Sequence, residues 1–132
     1  MATDADVLPP ADEIVTLHGV TLLRCAPDGP PLDGERAALD LIGDAGWREA
    51  ELVAVPAERV ADEFFQLRSG IAGAIVQKFA QYRLRLAVVG DISQHVADSQ
   101  ALRDFVYESN QGHQLWFLPG YDDLDERLRP TG

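Results

Sequence analysis

Basic residues are scarce in this sequence: eleven Lys and Arg stand against twenty-two Asp and Glu, a formal charge of −11. Such a chain repels phosphate backbones. Its few cations are also scattered rather than gathered in a stripe, so nucleic acid is excluded as a partner. Cysteine is scarcer still. Cys25 stands alone, which rules out an intrachain disulfide and makes a reducing cytoplasm the expected setting. Its place in the apolar run Val20-Thr21-Leu22-Leu23-Arg24-Cys25 marks it as a small core residue rather than a nucleophile. No hydrophobic run approaches the about 20 residues of a membrane span. The start, Met1-Ala2-Thr3-Asp4-Ala5-Asp6, lacks a basic region followed by an apolar stretch, so no signal peptide is expected. His18, His95 and His113 are far apart and have no ligand spacing, so neither a metal nor a cofactor is expected.

What remains is a chain of 132 residues, the size of one domain that can bury a core without metal or disulfide staples. Residues 1–12 are acidic, proline-bearing and aperiodic, and predict a loose arm ahead of a single domain over 13–132. Two β-rich runs flank Gly19 and predict a hairpin. The loop Ala26 to Gly34 follows, and Asp33 is expected to cap a helix from Glu35 to Asp44 that ends at Gly43 and Gly46. Glu51 to Pro56 and Leu84 to Val89 read as strands, with an amphipathic helix from Gly70 to about Tyr82 between them. A loop from Gly90 to His95 precedes a helix over Gln100 to Asn110, capped by Asp98 or Ser99. A strand at Gln114 to Leu118 and a short acidic helix from Tyr121 to Leu128 complete the chain.

Alternating strands and helices demand crossover connections. The expected fold is therefore α/β: a mixed, mostly parallel sheet of about five strands, an antiparallel N-terminal hairpin, and helices covering the sheet. Phe64, Phe65, Trp47, Trp116 and Phe117 are assigned to the core rather than to a ligand-stacking box.

The run Phe64 to Phe79 carries the leading site candidate. Ser69-Gly70 stands where the following helix leaves its first amides unpaired, beside Arg68, a seat suited to an anion or a partner's carboxylate. Ser69 has three readings. It caps the helix, it is phosphorylated or contacted by a partner, or it is a nucleophile; the last lacks a G-x-S-x-G elbow and a nearby histidine. Gly70-x-x-Gly73 has no Gly-Lys-Ser/Thr ending and is not a nucleotide loop. Asp91, Ser93 and His95 follow a strand's carboxyl end, where open α/β sheets bind ligands, and read either as turn residues of a solvated loop or as a catalytic cluster. Tyr107, Glu108 and Asn110 are secondary candidates. Their role is structural, with Asn110 closing its helix in a left-handed conformation, or one of partner contact.

Two resemblances rest on these residues. Ala38-Leu39-Asp40-Leu41-Ile42, Phe64 to Gly73, Gln77-Lys78-Phe79, Leu86 to Asp91 and Phe105 to Asn110 together resemble a bacterial family of small proteins known as domain of unknown function 4180, over about residues 35 to 118. That family implies no activity. More widely, the element order and the acidic C-terminal helix resemble STAS domains, the fold of anti-sigma-factor antagonists. Their signature Asp-Ser-Ser/Thr-Gly opens the second helix, where a kinase phosphorylates the hydroxyl. Ser69 and Gly70 match it here, while Leu67 stands in place of the acid and Arg68 in place of the first serine.

The expectation is a non-catalytic, cytoplasmic binding or regulatory module. It would contact a protein partner, or a small anion, through Arg68, Ser69 and Gly70 and the neighbouring Asp91, Ser93 and His95. The alternative is a small enzyme or ligand-binding protein with a pocket near Ser69, Asp91, His95 and Glu108. A homo-oligomer fits either.

Overall fold

The computed structural model describes residues 12–130, and its five-stranded sheet grows outward in chain order, β1-β2-β3-β4-β5. Strand β1 (Glu13–Leu17) pairs antiparallel with β2 (Val20–Arg24). Their two-residue turn holds His18 and Gly19 at φ 52° and 83°, the paired positive values of a turn whose twist matches a hairpin. Strands β3 (Leu52–Pro56), β4 (Arg85–Val89) and β5 (Leu115–Leu118) then add in parallel. All of β3 and nearly all of β4 are buried. The apolar runs Leu52–Pro56 and Leu86–Val89 are what a sheet covered on both faces requires.

Right-handed crossovers between sequential parallel neighbours carry each connecting helix to the same face. Helices α1 (Glu35–Trp47), α2 (Ile71–Gln81), the short α3 (Ser93–Ala97) and α4 (Gln100–Gln111) accordingly share one layer. That layer packs Leu41, Ile42, Ile75, Phe79 and Leu102 onto Leu23, Val53, Val55, Leu86, Val88 and Phe117 of the sheet. The alternate strand residues Leu22, Leu52, Ala54, Ala87, Val89 and Trp116 face the other way, onto Leu124 and Leu128 of α5 (Tyr121–Leu128). Arginine guanidinium groups extend this thinner layer. The Arg85 and Arg127 guanidinium carbons lie 4.5 and 4.4 Å from the centre of the Trp116 ring, and that of Arg24 lies 4.5 Å from the centre of the Tyr121 ring, so the cations themselves cover aromatic faces.

Several expectations need correction. Helix α1 passes through Gly43 and Gly46 to Trp47, and Gly34, not Asp33, is its N-cap, without a side-chain bond. Two glycines weaken a helix without ending it when Leu41, Ile42 and Ala45 are buried along one side. Residues 93–97 form a helical turn where a loop was expected. Asn110 stays helical, as the positive-φ residues other than glycine are His18, Glu49 and Arg83 among those described. Its side chain serves the edge strand instead. Asn110 Oδ1 accepts the Phe117 N–H at 2.8 Å, and its Nδ2 donates to the Phe117 carbonyl at 3.2 Å. One amide thus stands in for a sixth strand at β5. The arm expected over residues 1–12 lies outside the described residues except for Asp12, which accepts hydrogen bonds from Ala26 N–H and Arg59.

Trp47 was assigned to the core and is 88% exposed, whereas Trp116 is 4% exposed. As the last residue of α1 it projects beyond the sheet layer that buries Ala45. Acrylamide quenching is therefore expected to resolve two tryptophan populations. Trp47→Phe should abolish the accessible one while changing stability by no more than about 0.5 kcal/mol. A single protected population would contradict the exposed position.

Candidate functional site

Between β3 and α2 the chain descends through three short 3₁₀ turns, the last two over Asp62–Phe65 and Leu67–Ser69. Phe64 and Phe65 anchor this descent in the core, with ring centroids 5.4 Å apart and edge to face. Gly70, at φ 79°, then reverses the backbone into α2. A side chain in that left-handed conformation would be strained, so the glycine is required by geometry rather than by crowding.

Ser69 sits on the last turn with its hydroxyl fully engaged. Its Oγ donates to the Glu63 carbonyl at 2.8 Å and accepts the Ile71 N–H at 3.2 Å. One of the helix's unpaired amides is thereby satisfied from two residues upstream. Both partners are main-chain groups, so nothing in this arrangement would draw the proton from Ser69 as a general base must. Asp91 does the same for α3. Its Oδ1 accepts the Ser93 N–H at 2.9 Å, which holds the exposed carboxyl below its ordinary pKa.

The turn segment and the α3–α4 segment face each other across a cleft of about 400 Å³. Phe65, Gln66, Leu67 and Arg68 form one wall; His95, Asp98, Ser99 and Ala101 form the other. His95 is fixed in the cleft by stacking on Phe65, with ring centroids 4.1 Å apart and planes 13° from parallel. Its Nε2 lies 4.0 Å from Asp62 Oδ1. Ser99 N-caps α4, accepting the Leu102 N–H at 3.1 Å. Arg68 is exposed at the lip, with no carboxylate within 4.0 Å among the described residues.

A second cleft, of about 340 Å³, opens on the far side of His95 and joins it to Asp91, Glu58, Asp62 and Gly90. Ser93 lines a third, of about 260 Å³, with Val96, Val106 and Phe117. The structure thus brings Arg68 to His95 and His95 to Asp91, with Ser69 and Gly70 following Arg68 at the rim. Tyr107, 68% exposed, and Glu108, on the outer side of α4, line none of these clefts. Phe65, the platform under His95, was assigned to the core and is indeed buried, but its second role needed a contact thirty residues away in the chain. Cys25 is inert. Burial first, and then the neighbouring Asp12 charge, push its thiol up to about 12. Among the described residues no three of His, Cys, Asp and Glu converge as metal ligands, and no helix is long and apolar enough to cross a membrane.

No curated protein and no solved structure matches the chain. A family model described as a domain of unknown function (DUF4180) does match it, over residues 17–128, from the end of β1 to the last turn of α5. The chain therefore belongs to the DUF4180 family.

Proposed function

We propose that the domain is a non-catalytic binding module with a regulatory role, taking a segment of a partner protein into the cleft between the Phe65–Arg68 turn and α3–α4. The observation that carries this reading is the cleft itself: a guanidinium at its lip with no carboxylate within 4.0 Å among the described residues, a stacked imidazole on its wall, and a Ser69 hydroxyl bonded to main-chain groups. An anionic group of the partner, carboxylate or phosphate, would meet Arg68 there. Ser69 is the positioning residue, because its two bonds join Glu63 of the preceding turn to the start of α2 and so brace the Leu67–Ser69 turn that carries Arg68. In STAS domains the matching position is a phosphorylation switch. A phosphate on Ser69 would break the bond to Glu63 and place charge beside Arg68, which is a means of altering the cleft.

Affinity capture from the native host tests this, with wild type, Ser69→Ala, Ser69→Glu and Arg68→Ala as baits. Arg68→Ala and Ser69→Glu are expected to lose a protein that wild type retains. Ser69→Ala should keep it while losing about 1 kcal/mol of stability. Four identical capture profiles would sink the proposal. The enzymatic alternative draws on the cleft that joins His95 to Asp91. Its distinguishing sign would be turnover lost in His95→Gln while capture stays intact.

A further inference from the structure

A separate cleft of about 250 Å³ opens at the carboxyl ends of the parallel strands, beyond β2, β3 and β4 and against the first residue of α5. Its walls are apolar: Pro27, Pro56, Pro119 and Val89 line it. Prolines carry no N–H, so these walls offer a ligand contact surface and few competing donors. Two charges of opposite sign share the cavity, Arg24 at the end of β2 and Glu58 after β3. They do not pair with each other. Among the described residues neither lies within 4.0 Å of an opposite charge. Arg24 is nevertheless held in place, its guanidinium 4.5 Å from the centre of the Tyr121 ring.

An anchored cation and an exposed carboxylate, separate from each other on an apolar cavity, select against simple ligands. A carboxylate alone would gain Arg24 and be opposed by Glu58; an amine alone would meet the reverse. The phosphates of a nucleotide are disfavoured by a chain of charge −11. The size falls below the roughly 300–1,000 Å³ of pockets for drug-sized ligands, which suits a small metabolite. We infer that this cleft binds a small zwitterion with an apolar side chain, the class of the free apolar α-amino acids. The carboxylate goes to Arg24, the ammonium to Glu58, and the side chain lies against the prolines and Tyr121. The site is distinct from the Arg68 cleft, and the inference stands without the partner-binding proposal.

The experiment is a titration of the ¹⁵N-labelled full chain, followed by amide shifts, with L-phenylalanine, L-leucine, 3-phenylpropionate and phenethylamine as probes. At least one amino acid should shift the amides of Arg24, Glu58, Gly90 and Tyr121. The two singly charged probes should bind about tenfold more weakly than phenylalanine, or worse. Glu58 is exposed, so Glu58→Gln leaves the fold intact and should reduce phenylalanine to the level of 3-phenylpropionate. Arg24→Gln should likewise reduce it to the level of phenethylamine. The inference is overturned if neither amino acid shifts these amides at millimolar concentration. It is equally overturned if the singly charged probes bind as well as phenylalanine, or if Glu58→Gln leaves the preference unchanged.

Discussion

Arg59→Ala is expected to lower the unfolding free energy by about 3 to 5 kcal/mol, the range for removing one partner of a buried ion pair. Arg59 is 5% exposed and is the buried charged residue among those described. Its guanidinium donates to Asp12 Oδ1 at 2.8 Å and to the Ala26 and Pro30 carbonyls at 2.9 and 2.8 Å. It therefore fastens the segment before β1, the start of the proline loop and its middle at Pro30 to one point. Truncation leaves a carboxylate and two carbonyls without these donors, and the loop without its tie. A Cβ on Gly29 would run into the same guanidinium, so Gly29→Ala should also destabilise. Burial alone would raise the Asp12 pKa. The hydrogen bonds from Arg59 and the Ala26 N–H, together with the guanidinium charge, outweigh it and hold the carboxyl below its ordinary value. A depressed folded-state pKa contributes stability that is present above the unfolded value, about 3.9, and lost as pH falls through the folded one. Urea denaturation should accordingly show the largest gap between wild type and Arg59→Ala near neutral pH, narrowing in acid below the unfolded value. A gap under about 1 kcal/mol at neutral pH would show that the pair is solvated rather than buried.

The contrast between this network and the rest of the fold shows what a sequence carries. Strands β3 and β4 were legible because they are buried on both faces, which writes an unbroken apolar run into Leu52–Pro56 and Leu86–Val89. Helix α2 was legible because burial on one side writes a helical period into Ala72, Ile75 and Phe79. Those two signals fixed the order of elements and, through the crossover rule, the parallel sheet. Arg59 wrote no such signal, since its partners lie 29 to 47 residues away. One clue was available: the loop containing Pro27, Pro30 and Pro31 is poor in N–H donors, so its carbonyls need a donor from elsewhere. Asn110 was misjudged for a related reason. A residue near a helix end was read from local capping rules, but its side chain answers to the free edge of β5. Of the candidate site, the turn at Ser69-Gly70 was legible as a helix start. That His95 would stack on Phe65 and face Arg68 across a cleft was not, because it depends on where α3 lands.

Phe64→Ala is expected to cost about 3 to 5 kcal/mol, as for other fully buried aromatic side chains, and to loosen the Arg68 wall of the cleft at the same time. Phe64 is 0% exposed and meets Phe65 and Phe117 edge to face, at centroid distances of 5.4 and 6.3 Å. Through Phe117 it ties the 3₁₀ descent to β5; through Phe65 it supports the ring on which His95 rests. A domain of this size holds roughly 5–15 kcal/mol in total, so the loss is a large share of it. Local consequences should exceed the global one. The turns over residues 62–69 are short, with few hydrogen bonds of their own, and depend on these two rings for their position. Exchange of the hydrogen-bonded amides of Gln66, Ser69 and Gly70 should therefore accelerate in Phe64→Ala by more than the change in overall stability accounts for. Phe65→Leu separates the two effects. It keeps most of the buried volume and costs less than about 1.5 kcal/mol, yet removes the stacking partner of His95. Its expected signature is a changed His95 ring resonance with little loss in denaturant midpoint. If Phe64→Ala leaves exchange in the turn at the wild-type rate, the turn holds itself, and the cleft does not depend on the aromatic core beneath it.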